Sequence, residues 1–256
     1  MKPWILLLPV WLCGATTARG ADLPTGSCAA PRAGTDLSAC DFTRRKLAGA
    51  ALRGVRLAGA KMESADFRGA DLSGADLSGS NAKWANFTGA RLAGADLRKA
   101  DLFHATFDDG DLSDARLNGA YLFGANLINT KAMRADFAGA HLKDILMEGI
   151  DLSGGSIRGC YAFRGVFSGA RMVGADLSGA DLTGAAMEQV DFSRAQLKQT
   201  RLSGATLRHA MFADADMEGA DLANADVWNA NFDKARNRSD SVQDALIEPF
   251  VVRERR

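Results

Sequence analysis

Histidine, tyrosine and proline are scarce in this sequence, and the scarcity of histidine narrows the chemistry it can support. The 256 residues include 3 histidines, 2 tyrosines and 5 prolines. The histidines are spread along the chain, and no His-rich metal motif, phosphate-binding glycine loop or nucleophile elbow is present. Aspartate is plentiful, but it recurs at regular intervals. We therefore predict a protein that is not an enzyme and that needs no metal and no cofactor.

An excess of charge of either sign is also absent. The chain has 31 basic and 31 acidic residues. Residues 1–20 hold Lys2 and Arg19 and no acid, so 31 − 2 leaves 29 basic residues against 31 acidic ones in the rest. A chain so close to neutrality has no bulk attraction to nucleic acid or to an anionic membrane. We expect no nucleic acid as a partner.

Long apolar runs are missing except for a short one at the N-terminus. Lys2 supplies a positive charge, residues 4–12 are apolar, and Ala18-Arg19-Gly20 places small residues before a cleavage point at Ala21. The run is too short to span a bilayer. We predict a signal peptide over residues 1–20, cleavage near Gly20 or Ala21, no transmembrane segment afterwards, and a periplasmic or secreted bacterial protein.

Other interpretations of the N-terminus stay open. Cleavage after Ala18 fits nearly as well. Lipid attachment at Cys13 is a further alternative, although Leu12 stands where lipoprotein signals need a small residue. The rival localisation is a cytosolic protein in which residues 1–20 are not a signal.

What the sequence does have is a strict five-residue period. Every fifth residue from Leu37 to Phe232 is apolar, which gives 40 consecutive units such as residues 70–74. We call this apolar residue the centre of its unit. Alanine stands two positions before the centre in 26 units, and glycine stands two positions after it in 20. A period of five fits neither a helix nor an alternating strand, so the chain is interpreted as a repeat protein.

The period predicts a coil of four short sides and twenty residues per turn. Glycine at this frequency argues against a helix, because each one costs about 1 kcal/mol relative to alanine. We expect the centre and the preceding alanine to point inward, the other three residues to point outward, and coils to stack as parallel strands about 4.8 Å apart. No coil can bury its core alone, so stability comes from stacking.

This arrangement resembles the pentapeptide-repeat family, whose unit is Ala-(Asp/Asn)-Leu-x-x. The resemblance covers residues 35–234 and implies an all-β fold, a right-handed quadrilateral β-helix of about ten coils. Residues 21–34 then form an N-terminal cap segment and residues 235–256 a C-terminal cap or tail, with a short helix expected from Ser241 to Ile247. The family has many roles, so the resemblance implies the fold and not the function.

Counting in steps of twenty sorts the units into four sides, which we number from the centres Leu37, Phe42, Leu47 and Leu52. Residues 145–165 replace the inward alanine in every unit, and we expect this stretch to be the most distorted.

Cysteine is rare, and its positions suggest one cross-link. Cys28 lies before the repeat and Cys40 lies in its first turn, so a disulfide between them would tie the N-terminal segment over the open end of the core. Unpaired cysteines are an equal alternative. Cys160 occupies an inward position and is expected to be a small buried thiol.

Side two is the exception to a polar exterior. Its outward positions carry Trp84, Phe103, His104, Tyr121, Phe123, His141, Tyr161 and Phe163. Exposed apolar patches of this kind mark interfaces. We therefore predict a non-enzymatic, exported interaction or scaffolding rod that binds an unknown protein partner or forms a homodimer.

Three other interpretations of this patch are kept. It is a platform for stacking carbohydrate, as in an envelope protein, or it is covered by the chain's own N- or C-terminal segment. Alternatively, Trp84 and Phe163 turn inward to fill space beside the small centres Ala82 and Ala162.

The resemblance also implies a second function, because quinolone-resistance members of the family imitate the charge of DNA and protect a type II topoisomerase. Mimicry needs a sustained acidic surface. On side four, however, the residue before each centre alternates in sign: Asp71, Arg91, Asp111, Lys131, Asp151, Arg171 and Asp191. The alternation favours a charge-balanced rod over a DNA mimic.

Overall fold

The computed structural model describes residues 23–238 together with Ser241 and Ala245. Residues 23–238 contain no α-helix, and every strand in them is a single-residue parallel bridge. From Asp36 to Arg236 the bridges recur every five residues, and each joins a residue to the one twenty positions later, as in Asp71 with Arg91. The chain is a right-handed quadrilateral β-helix of ten coils, which confirms the predicted fold.

Each unit satisfies its own backbone through a fixed set of hydrogen bonds. In the unit around Leu72, the N–H groups of Asp71, Leu72 and Gly74 donate to carbonyls of adjacent coils at 2.7 to 3.0 Å. The N–H of Ala75 donates to the Leu72 carbonyl at 3.0 Å and closes a turn. Only the N–H of Ser73 is left over, and the Asp71 carboxylate accepts it at 3.1 Å. Five residues are therefore enough for one side and one corner.

The corner is a turn that needs a left-handed residue. From Arg44 to Lys234, the residue two positions after the centre has a positive φ in 39 units, of which 20 are glycine and 19 are not. This position is the third residue of a hydrogen-bonded turn, so the corners are type II turns, in which glycine costs least.

The core is a set of columns that run up the four sides. Centres from Leu37 to Val227 are buried, as are most residues at the alanine position. On side three, the rings of Phe67, Phe87 and Phe107 stack at 5.2 and 4.8 Å with planes within 8°. A second stack on side four joins Phe192, Phe212 and Phe232 at 5.1 and 4.7 Å. These columns make neighbouring coils depend on one another.

The expected distortion between residues 145 and 165 is wrong, because the bridge of Leu146 with Val166 continues the ladder without a break. Large and small inward residues compensate one another instead. A side chain at Gly165 would lie 3.2 Å from Ile145 Cγ2 and 2.7 Å from the Phe167 ring. Ile145 therefore fills the space that an alanine at position 165 would otherwise take.

Both ends of the rod are covered by flanking segments. At the N-terminus, Thr25 bridges Asp36, and a disulfide joins Cys28 to Cys40 with a Cα–Cα distance of 5.5 Å. At the C-terminus, the Ser241 hydroxyl accepts from the Leu222 N–H at 3.0 Å, and Ala245 packs on the core. The rest of the helix expected over 241–247 lies outside the described residues, as does the signal peptide expected over residues 1–20.

Candidate functional site

The outward side chains of side two form one elongated surface, which we call the aromatic ladder. It consists of Trp84, Phe103, His104, Tyr121, Phe123, His141, Tyr161 and Phe163. The β-helix places them together because residues twenty positions apart are neighbours on the same side, as the bridges of Asp101, Tyr121, His141 and Tyr161 show.

Phe103 makes more ring contacts than any other member of the ladder. Its ring lies 5.6 Å from that of Phe123 and 6.2 Å from that of Tyr121, with planes within 10° in both pairs. Trp84 meets Phe103 edge to face, at 5.3 Å and 84°. Phe103 and Phe123 are too close for rings that lie side by side in one plane, so their faces partly overlap.

The histidines of the ladder extend the ring contacts. His104 packs edge to face on Phe103 at 4.3 Å and contacts Phe123 at 5.9 Å. His141 lies 5.8 Å from Tyr121. Both imidazoles are exposed, and each packs against a neighbouring aromatic ring.

The lower part of the ladder is a separate ring pair. Tyr161 and Phe163 lie 6.2 Å apart with nearly parallel planes. His141 lies between this pair and Tyr121, because it forms parallel β-bridges with both Tyr121 and Tyr161. The aromatic character therefore continues over five coils, from Trp84 to Phe163.

The ladder is open to solvent. Trp84 is 50%, Tyr121 40% and Tyr161 43% exposed. The interpretation in which Trp84 turns inward beside Ala82 is wrong, because Ala82 is fully buried by the core columns while the indole stays outside. Phe163 is half-buried and packs under Arg164, not into the space beside Ala162.

Cationic side chains lie over two of the rings. Lys143 Nζ is 5.7 Å from the centre of the Phe123 ring, and the Arg164 guanidinium is 5.5 Å from that of Phe163. Arg164 also pairs with Asp144 at 2.8 Å. The ladder thus combines exposed aromatic rings with cations that lie over two of the ring faces.

The other sides are mainly polar, and aspartates on them accept hydrogen bonds from the backbone. The Ser73 hydroxyl donates to the Asp71 carboxylate at 2.6 Å, and together with the Ser73 N–H it lowers the pKa of Asp71. The Arg68 guanidinium donates to Asp66 at 2.7 and 2.8 Å and lowers the pKa of Asp66 to about 2. Sequence reasoning missed this role, although the regular Asp or Asn before the centre was its signal.

The alternating charges of side four are adjacent but form few close pairs. Arg91 and Asp71 approach to 3.9 Å. Within the described chain, no other neighbouring pair of that column comes within 4.0 Å. The alternation prevents repulsion between stacked like charges and does not build a chain of salt bridges.

The described residues offer no assembled catalytic or metal centre. They contain no group of three or more His, Cys, Asp or Glu side chains able to hold a metal ion. The Cys160 thiol is buried and donates to the Phe137 carbonyl at 2.9 Å, and burial raises its pKa to about 12. In the same part of the chain, no helix is long and apolar enough to cross a membrane.

The fold and the surface define a class of protein: a repeat solenoid whose most distinctive external feature is a ladder of aromatic side chains. A family model described as pentapeptide repeats matches this sequence in segments that together cover residues 35–154 and 166–236. The chain belongs to the pentapeptide-repeat family.

Solved structures of the same family resemble the chain over much of its length. HetL, involved in heterocyst differentiation regulation in the cyanobacterium Nostoc sp. strain PCC 7120, is 29% identical over 75% of this chain and 89% of its own, with a TM-score of 0.43. QnrB1, a plasmid-mediated fluoroquinolone resistance protein, is 22% identical over 78% of this chain and 90% of its own, with a TM-score of 0.46. No curated protein sequence matches.

Proposed function

We propose that this protein is an exported, non-enzymatic rod that binds another protein through the aromatic ladder. The observation that carries the proposal is the concentration of exposed rings on one side. Trp84, Tyr121 and Tyr161 are three of the five large hydrophobic residues exposed within the described chain, and all three lie on side two. The other two, Met133 and Met211, lie singly on side four.

The arrangement of the rings favours a protein partner over a carbohydrate. A sugar stacks on an open ring face, whereas the faces of Phe103 and Phe123 partly cover each other. Lys143 and Arg164 lie over the rings of Phe123 and Phe163. The most exposed members of the ladder are Trp84, Tyr121 and Tyr161, and tryptophan and tyrosine are enriched at protein interfaces.

Export is supported by the disulfide. A bond between Cys28 and Cys40 suits an oxidising compartment such as the periplasm or the cell exterior. N-terminal sequencing of the native protein tests this step. We expect a first residue of Ala21 or Arg19, and an intact Met1 would mean that the protein stays in the cytosol.

The charge pattern supports an interaction rod over a DNA mimic. On side one, Asp96 lies within 2.5 Å of Arg98 and 3.7 Å of Arg116, so its charge is locally balanced. Protection of a type II topoisomerase from a quinolone by the purified protein would favour mimicry.

Self-association through the ladder is the form of the proposal that is simplest to test. We expect replacement of Phe103, Tyr121 and Phe123 together by serine to abolish a dimer seen by sedimentation velocity. Lys131→Ser with Met133→Ser changes the corresponding positions of side four on one of the same coils, and it should leave the dimer intact. If the triple variant sediments as the unchanged protein does, side two is not a dimer surface.

A further inference from the structure

Side two carries charged side chains on both flanks of the aromatic ladder, and their order is symmetrical about the middle of the rod. Counted from the first unit, Tyr121 lies on coil five. At the same place in the unit, Lys61 and Asp41 stand three and four coils before it, and Asp181 and Arg201 stand three and four coils after it. At equal distances from coil five, the charges are therefore opposite in sign.

Side two is also continuous along the rod. Parallel bridges join the residues before its centres without a break from Asp41 to Asp221, so a second rod can lie along this face. Consider a second rod that is antiparallel and related by a twofold axis passing between the two faces at Tyr121. Each outward residue on one side of coil five then faces the residue that lies equally far on the other side in the second copy.

We infer that side two is the contact face of an antiparallel homodimer whose twofold axis passes between the two rods at coil five. This inference rests on the proposed function, because the aromatic ladder is the centre of the contact, and it names a second copy of the chain as the partner. At the axis, Tyr121 and Phe123 each face the same residue of the second copy.

Ion pairs close both ends of the contact. Asp41 faces Arg201 of the second copy, Lys61 faces Asp181 of the second copy, and the symmetry repeats both pairs at the other end. Within one copy, Arg201 Nη1 lies 3.5 Å from Asp181, and Lys61 is bridged to Asp41. The four side chains at each end therefore form a square in which neighbours have opposite charges.

Between these ends, cations face aromatic rings. Lys143 faces Phe103 of the second copy, and Arg164 faces Trp84, which at 50% is the most exposed ring of the ladder. Lys143 already lies over its own Phe123, so the contact places it beside rings of both copies. The dimer interface thus has an aromatic centre and a charged rim, as protein interfaces commonly do.

Each histidine of the ladder faces a carboxylate. His141 faces Asp101 of the second copy, and His104 faces Asp144 of the second copy. An imidazole N–H can donate a hydrogen bond to a carboxylate opposite it. Asp101 also keeps Lys83 of its own copy, 3.1 Å away. Both carboxylates therefore face a hydrogen-bond donor across the contact.

The charges also fix the register and the direction of the second rod. With the axis at coil five, no like-charged side chains lie directly opposite among the outward positions of coils one to nine on side two. Every axis shifted by half a coil or by one coil places like charges face to face: Asp41 with Asp181 or Asp221, Asp101 with Asp181, or Arg44 with Arg164. Parallel rods leave Asp41, Asp181 and Arg201 opposite uncharged side chains. The charge order therefore favours the antiparallel dimer in this one register.

Charge reversal followed by sedimentation velocity tests the register. Arg201→Asp places aspartates face to face at both ends, and we expect it to raise the dissociation constant of the dimer about tenfold or more. Asp41→Arg with Arg201→Asp should restore the dimer. Arg171→Asp is the matched control. It also puts an acid between two aspartates of its column, Asp151 and Asp191, but it lies on side four and should leave the dimer unchanged.

Cross-link mapping in the purified protein tests the direction of the rods. A photoreactive residue replaces Thr183 on coil eight, and the product of doubled mass is digested and sequenced. We expect attachment to coil two of the second copy, where Glu63 faces position 183. Parallel rods would instead join coil eight to coil eight.

The inference is overturned by a monomer in sedimentation, by an unchanged dissociation constant for Arg201→Asp, or by a link between two copies of coil eight. A double variant that stays monomeric with a native circular dichroism spectrum overturns it as well. These failures differ from failure of the proposed function. A cross-link in cells from position 121 to a protein of another mass keeps the ladder as a binding surface and excludes the second copy, whereas no cross-link from this position removes both.

Discussion

At the scale of single residues, the corner turn decides which substitutions the repeat tolerates. Gly89 has φ +65° with open space around its Cα, so a side chain there meets no clash but is held in the left-handed region. We expect Gly89→Ala to lower the free energy of unfolding by about 1 to 2 kcal/mol. Asp109→Gly changes the same position one coil later and serves as the control. Because aspartate tolerates the left-handed conformation, we expect this replacement to change the free energy of unfolding less. Urea denaturation measures the stability of both variants. If Gly89→Ala is as stable as the unchanged protein, the corner is not a type II turn.

The residue before the centre has a measurable role of its own. Asp71 accepts from both the Ser73 N–H and the Ser73 hydroxyl. Asp71→Ala should cost about 1 kcal/mol by loss of these bonds. Asp71→Asn keeps an acceptor oxygen and should cost less. If alanine and asparagine are equally tolerated in thermal denaturation, the side chain does not support the turn.

The inward positions followed from periodicity, because an apolar residue at every fifth place leaves one consistent geometry. The role of Asp71 did not follow from the period, because it depends on which backbone N–H of the unit has no partner on an adjacent coil. That N–H can be identified only when every backbone hydrogen bond of the unit is known. The period also did not predict the two backbone hydrogen bonds between Asp36 and the N-terminal cap segment, because Pro24 and Gly26 lie outside the repeat.

At the scale of one element, the column of rings on side three couples successive coils. Phe87 stacks on Phe67 and Phe107 and is fully buried. We expect Phe87→Ala to cost about 3 to 5 kcal/mol, because it removes a ring from a packed column and leaves a cavity. Phe87→Leu, the residue that most centres carry, is the matched control and should cost clearly less. Equal losses of melting temperature for the two variants would mean that the stack adds nothing beyond apolar volume.

The aromatic ladder shows how far sequence reasoning reaches for a surface element. Counting by twenty placed Phe103, Tyr121 and Phe123 next to one another, because neighbours on a β-helix are fixed by the period. It did not settle whether Trp84 pointed inward. The orientation of Trp84 depends on whether the core beside Ala82 has room for an indole. The period gives no information on how the core columns pack against one another.

At the scale of the whole molecule, the aspartates make stability depend on acid. The pKa values of Asp66 and Asp71 are lowered, that of Asp66 to about 2, chiefly by the side chains of Arg68 and Ser73. A lowered pKa in the folded state contributes stability that is complete above the unfolded value of about 4 and is lost as the pH falls towards 2. We expect the melting temperature to be flat near neutrality and to fall below about pH 4.

A double variant assigns this fall to named groups. Asp66→Asn with Asp71→Asn should reduce the loss of melting temperature between about pH 4 and pH 2. If the profile of the double variant is parallel to that of the unchanged protein, other groups cause the acid sensitivity.

Site-specific photo-crosslinking in intact cells tests the proposal that the rod binds a protein through side two. A photoreactive residue replaces either Tyr121 on the ladder or Met211 on side four, which are 40% and 41% exposed and so equally accessible to a neighbour. We expect a discrete cross-linked protein from position 121 and none from position 211. Cross-links from position 211 alone, or none from position 121, would contradict it.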